Sequence, residues 1–260
     1  MIDTLAALVP IGQEALWAGF VVFLRIGAML ALVTAFGEQS VPARLRLVLA
    51  LAFSLVVLPA VAPTLAPPPS EPARLLLLVA AEVLAGLFFG IMLRLFVLAL
   101  QMAGTIAAQS TSLSQLFGGG AGVEPAPAIG HLLVIAGLAL LTILGLHVRL
   151  AAFMIETYAL IPPGTLPGAA LVAQAGLQEV TRAFSLAFTL AAPFVIASLI
   201  YNVTLGVINR AMPQLMVAFV GAPAITAGGL LLLLVSAPIL LDIWGDGLLA
   251  FLESPFGDLP

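Results

Sequence analysis

Residues 73–108 read ARLLLLVAAEVLAGLFFGIMLRLFVLALQMAGTIAA and contain no proline. Leu and Ala, both strong helix formers, supply half of it, so the stretch reads as one helix. At 1.5 Å per residue it is about 54 Å long, against a hydrocarbon core of about 30 Å. Glu82, Arg94 and Gln101 interrupt it. The fold class follows from such segments: an all-α integral membrane protein, or one buried in a membrane assembly, built of long, kinked helices.

The rest of the 260 residues agree, being 63% hydrophobic and only 8% charged, too apolar for a soluble chain. About six apolar helical patterns are expected, within a single domain over 1–260. Ala15–Phe36 carries Arg25, and a polar hinge, Gly37–Pro42, separates it from a run opened by Arg44 and Arg46. APTLAPPPSEP (62–72) cannot be helical throughout. Ala128–Leu160 reads as a second over-long pattern, broken by Pro162, Pro163 and Pro167. Residues 169–211 follow, with a kink expected at Pro193. Gln214–Leu252 is expected to break at Pro223, at Gly228 with Gly229, and at Pro238.

Several chemistries are set aside. With no cysteine there is no disulfide, thiolate metal site or cysteine nucleophile. A net charge of −4 gives no reason to expect nucleic acid. The glycines at 118–122 are not followed by Gly-Lys-Ser/Thr, and no GxSxG or HExxH occurs. His131 and His147, if on one helix, stand about 24 Å apart and cannot share a metal. The start MIDTLAALVP has no basic region and is not read as a removed signal peptide. No enzyme activity and no cofactor are expected.

Ionisable groups within apolar helices are costly and raise functional hypotheses: Arg25, Glu82, Arg94, Arg149, Glu156, Glu179, Arg182 and Arg210. Each either pairs with a neighbouring helix or subunit, relays protons, or touches a transported chain. Glu179 and Arg182 can pair on one face, whereas Arg149 and Glu156 lie about 10 Å apart. Gly86 and Gly90, four apart, allow close helix packing. STSLSQLFGGGAGVEPAP (110–127) is the long polar insert in this apolar chain. It is either a surface loop or non-helical backbone enclosed by protein or water at membrane depth. Leu113, Leu116 and Phe117 suit the second, as side chains able to close a hole.

Three blocks resemble one family. GEQSVPARLRLVLALAFSLVVLP (37–59), LGLHVRLAAFMIETYALIPPG (144–164) and GVINRAMPQLMVAFVGAPAITAGG (206–229) are similar, in order and spacing, to blocks of the FliR family of flagellar export-gate proteins, whose injectisome counterpart is SctT. Asn209, Arg210, Pro213 and Gln214 are the most specific part. The resemblance implies a FliP-like part joined to a FliQ-like part, in a core channel subunit of the type III export gate. It implies assembly with FliP and FliQ, one copy of this chain per gate, contact with FlhB and membrane lipid, and a place in the bacterial inner membrane at the flagellar basal body. Unfolded secreted proteins would be the cargo.

Residues 110–124 would then be the plug, with Ser110, Leu113, Leu116, Phe117, Gly118, Gly119 and Gly120 as its elements. The Gly-Gly-Gly-Ala-Gly run and Glu124-Pro125 depart from the family's bulkier loop with Asp-Pro. Asn209, Arg210, Pro213, Gln214, Arg44, Arg46 and Glu156 are candidates for subunit packing and register. A stand-alone proton-coupled transporter of a small solute is the rival reading, and it demands an internal repeat with matched breaks. The equivalent injectisome subunit is the other alternative.

Overall fold

The computed structural model describes residues 2–33, 42–111, 128–212 and 217–255. Among these every regular element is helical. They are α1 (Ile2–Leu32), α2 (Ala43–Val61), a 3-10 turn (Ala62–Thr64), α3 (Pro72–Ser110), α4 (Ala128–Ile143), α5 (Leu146–Leu160), α6 (Ala169–Ala211) and α7 (Val217–Glu253). Five helices are long and apolar enough to cross a membrane, or six spans if the two around Gly145 together make a broken one.

Helix α3 is 39 residues, about 58 Å, and matches the expectation from its sequence. Its start is legible: Pro72 occupies the first helical position, where its missing N–H costs nothing, and Glu71 O accepts from Arg74 and Leu75 N–H. Its end differs slightly, because α3 runs through Ser110, and Thr111 N–H still donates to Ala107 O at 3.1 Å. The polar insert therefore begins within the last helical turn.

Two expectations are corrected. The pattern 128–160 is not one helix. It is interrupted at Leu144–Gly145, where Gly145 has φ +76°, a left-handed conformation that glycine adopts without penalty. The estimate that placed His131 and His147 on one helix therefore lapses. A Cβ at Gly145 meets nothing within 4 Å, so only backbone strain opposes a side chain there. Gly145→Ala is expected to cost about 1–2 kcal/mol, with Gly145→Asn milder, read as a lowered thermal midpoint of the detergent-solubilised chain. Equal midpoints for wild type and Gly145→Ala would contradict this.

The second correction concerns α7, which is continuous through Pro223, Gly228, Gly229 and Pro238. A proline removes one i→i−4 bond, and in apolar surroundings no water competes for the others, so the helix persists.

Contacts divide the chain into two units, each assembled from segments distant in sequence. One comprises 1–95, 145–179 and 249–260; the other comprises 96–144 and 180–248. In the first, α2 packs on α1 and α5, and Trp17 Nε1–H donates to Ala66 O at 3.0 Å, tying down the proline-rich connector. Phe153 packs between Phe89 and Phe251, with ring centroids 5.7 Å from each. Gly86 and Gly90 bring α3 against the α1 backbone, so that a Cβ on Gly90 would stand 2.8 Å from Met29 O. The close-packing reading of this pair therefore holds.

In the second unit, fully buried Trp244 donates its indole N–H to Phe96 O at 2.8 Å. Gly137 leaves room for the Trp244 ring, and Gly104 lies against Gly130, backbone on backbone.

Candidate functional site

The most costly chemistry in the described residues is a buried ionic node in the first unit. Arg25, in the C-terminal third of α1, and Glu82, on α3, are 1% and 0% exposed. The guanidinium grips the carboxylate with two bonds, Nε–H to Oε2 at 2.8 Å and Nη2–H to Oε1 at 3.1 Å. Such a planar fork matches a carboxylate in a way lysine cannot.

Two further bonds go to backbone. Arg25 Nη1 donates to Thr157 O at 3.0 Å and to Ile161 O at 2.8 Å. These carbonyls belong to the C-terminal end of α5, where helical acceptors lose their partners and the dipole favours a cation. Glu82 Oε1 also accepts from Gly164 N–H at 2.8 Å, and Gly164 turns the chain with φ +71°.

Tyr158 completes the node. Arg25 Cζ lies 3.9 Å from its ring centroid, a cation–π contact. The buried Tyr158 hydroxyl has no hydrogen-bond partner among the described residues.

Four of Arg25's five N–H bonds are thus spent on the chain itself. This node positions helices: it fixes α1, α3 and the α5–α6 turn with respect to one another. Arg149 forms a different pair, with Glu253 rather than with Glu156, and both partners are substantially exposed. Exposed pairs of this kind contribute about 0–1 kcal/mol. Among the described residues no group of three or more His, Cys, Asp or Glu could hold a metal.

Of the residues singled out from sequence, Ser110 is half-buried at the end of α3, its Oγ–H donating to Ala107 O at 2.8 Å. Leu113, Leu116, Phe117, Gly118, Gly119 and Gly120 lie outside the described residues, as do Pro213 and Gln214. Asn209 and Arg210 are exposed in the last turn of α6, where a cation complements the helix dipole. Arg44 is exposed and Arg46 half-buried in the first turns of α2, and Glu156 is exposed on α5.

In the sequence Arg25 and Glu82 stand only as separate costly charges. Their pairing across 57 positions leaves no sequence signal. Gly164 was legible in part, since Ile-Pro-Pro-Gly after a helix calls for a turn.

Comparison with known proteins gives consistent matches. Residues 16–250 fit the family model described as bacterial export proteins, family 1. A Caulobacter vibrioides protein named flagellar biosynthetic protein FliR is 35% identical over 226 residues, covering 86% of this chain and 90% of the relative. Proteins of the same name from Aquifex aeolicus and Escherichia coli are 30% and 28% identical. Those alignments cover 84% of this chain in both cases, and 84% and 83% of the relatives.

Proposed function

Because the chain belongs to family 1 of the bacterial export proteins, the family of the flagellar biosynthetic protein FliR, we propose that it is a channel-forming, non-catalytic subunit of the flagellar type III export gate. It assembles in the bacterial inner membrane with FliP and FliQ, beside FlhB, and unfolded flagellar proteins pass through the pore so formed. The flagellar branch is preferred to the injectisome branch because the matched relatives carry flagellar names.

The observation that carries the assembly reading is α6. Its 43 residues measure about 64 Å, twice the hydrocarbon core. Exposed apolar side chains run along it from Val172 through Leu177, Phe188 and Leu199 to Ile208. That span is about 54 Å measured along the helix, which carries Pro193. Lipid tails cover about 30 Å, so the remainder calls for other protein chains. A stand-alone transporter offers no such cover.

Within the gate, Leu113, Leu116 and Phe117 act as the closing plug, and Gly118, Gly119 and Gly120 give it freedom. This role rests on the likeness of the flanking blocks. Asn209, Arg210, Pro213 and Gln214, at the junction of α6 and α7, set subunit register.

Mild detergent extraction followed by native mass measurement tests the assembly. The expected result is a large hetero-complex containing FliP and FliQ. A monomer or homodimer overturns the proposal.

A further inference from the structure

The second unit carries an outer surface whose chemistry is wrong for lipid. Along α3 from Phe96 to Ser110 the inward residues are Phe96, Val97, Ala99, Leu100, Ala103, Gly104, Ala107 and Ala108, with no polar side chain among them. The polar residues of the stretch, Gln101, Thr105, Gln109 and Ser110, are all exposed or half-exposed. Gln101, Thr105 and Gln109 recur every four positions, so they form one stripe on the helix surface about 12 Å long.

A lipid-facing helix shows the opposite distribution, because hydrocarbon cannot satisfy an amide's two donors and its acceptor. The same unit supplies the contrast. From Ala227 to Ile239 on α7, the one hydrogen-bonding side chain is half-buried Ser236, whose Oγ is enclosed, and Leu234 there is 74% exposed.

Beside the stripe lies an open groove of about 440 Å³ between α3 and α6, lined in part by Gln101, Met102, Thr105, Phe184 and Phe188. The two phenylalanines are 51% and 62% exposed. The Thr105 hydroxyl donates to Gln101 O at 2.8 Å and keeps its acceptor capacity free to face the groove.

We propose that this α3 face, with Phe184 and Phe188 beside it, lines a water-filled passage and is the surface along which an extended, unfolded polypeptide slides. The proposal rests on the export-gate reading and deepens it. Neutral amide and hydroxyl groups offer donors and acceptors to any peptide backbone, whatever its sequence. Phe184, Phe188 and Met102 receive apolar side chains without shape selection. No charge in the stripe favours cargo of one sign. A 12 Å stripe spans about four residues of extended chain at 3.3 Å each, too few to hold a cargo tightly.

The absence of native cysteine makes the test direct. Gln101→Cys, Thr105→Cys, Gln109→Cys and the control Leu234→Cys are introduced singly into the full chain, co-expressed with its gate partners. Membranes holding each complex are treated from both sides with the hydrophilic thiol reagent MTSES. The three stripe positions are expected to react at least tenfold faster than Leu234→Cys, and to slow when a secretion substrate is stalled in the gate. Rates no faster than the control overturn the proposal, whether lipid or a neighbouring subunit covers the face.

Thr105→Cys, a near-isosteric change, keeps the test open where a glutamine variant lowers yield. Native mass of the same preparations separates the two claims. An intact hetero-complex with unreactive stripe cysteines sinks the lining alone, whereas loss of any hetero-complex sinks the export-gate reading and the lining with it.

Discussion

Arg25→Ala is expected to destabilise the chain by about 3–5 kcal/mol, enough to abolish recovery of folded protein from membranes. The substitution leaves the Glu82 carboxyl, at 0% exposure, without its partner, and leaves Ile161 O at the end of α5 without its donor, while Thr157 O keeps only the N–H of Ile161. Glu82→Gln is expected to fail in the same direction, because the buried guanidinium then faces a neutral amide and loses the match of its fork.

The double variant Arg25→Met, Glu82→Leu separates charge from contact. Replacing a buried pair by apolar residues of similar volume is often neutral, so much of the loss is expected to return. Recovery is expected to stay incomplete, since Gly164 N–H and Ile161 O lose their partners at about 1–3 kcal/mol each. Denaturation in mixed detergent micelles, run as a double-mutant cycle, reads all four states. A single-variant loss below about 1 kcal/mol would show that the node holds nothing, since that is the range of an exposed pair.

Gly104→Ala carries the second large effect. A Cβ at this position falls inside the contact radius of Gly130 backbone atoms and stands 3.1 Å from the carbonyl carbon of Ile129. Backbone cannot rotate away as a side chain can, so α3 and α4 must part. The expected cost is about 3 kcal/mol, the upper part of the overpacking range.

Gly206 on α6 is the internal control, because a Cβ there meets nothing within 4 Å. Gly206→Ala is expected to leave stability unchanged or raise it by up to about 1 kcal/mol through helix propensity. The two variants add the same methyl group in the same unit, so equal midpoints in one unfolding assay would refute the close approach of Gly104 to Gly130.

Helix existence was readable along the chain because it depends on local composition. Pro72 at the start of α3 and the absence of proline up to Ser110 specify that helix without reference to anything else. Gly86 and Gly90 advertised a close approach, although not that α1 would supply it. The errors fell where a local signal competes with its surroundings. Pro223 and Pro238 look like breaks in water, where freed carbonyls find solvent, yet α7 passes through both. The reverse error occurred at Gly145, which sits in an unbroken apolar pattern with no proline, yet there the helix ends.

The node was the least legible part of the chain. Its members come from positions 25, 82, 157, 161 and 164, and no spacing rule joins them.

By itself the sequence determined that this is an all-helical membrane chain, which residues are costly to bury, and, through three collinear blocks, the export family to which it belongs. Those properties follow from residue type and order. Tertiary structure alone decided that Arg25 finds Glu82, that Gly104 meets Gly130, and that Gln101, Thr105 and Gln109 face outward while α7 encloses the Ser236 Oγ and turns Leu230, Leu231, Leu234 and Val235 out. The physical reason is the nearly uniform apolarity of the helices. In such a chain hydrophobic periodicity is too weak to say which face turns inward, so partner and orientation are chosen by close packing and by the need to satisfy each buried polar group.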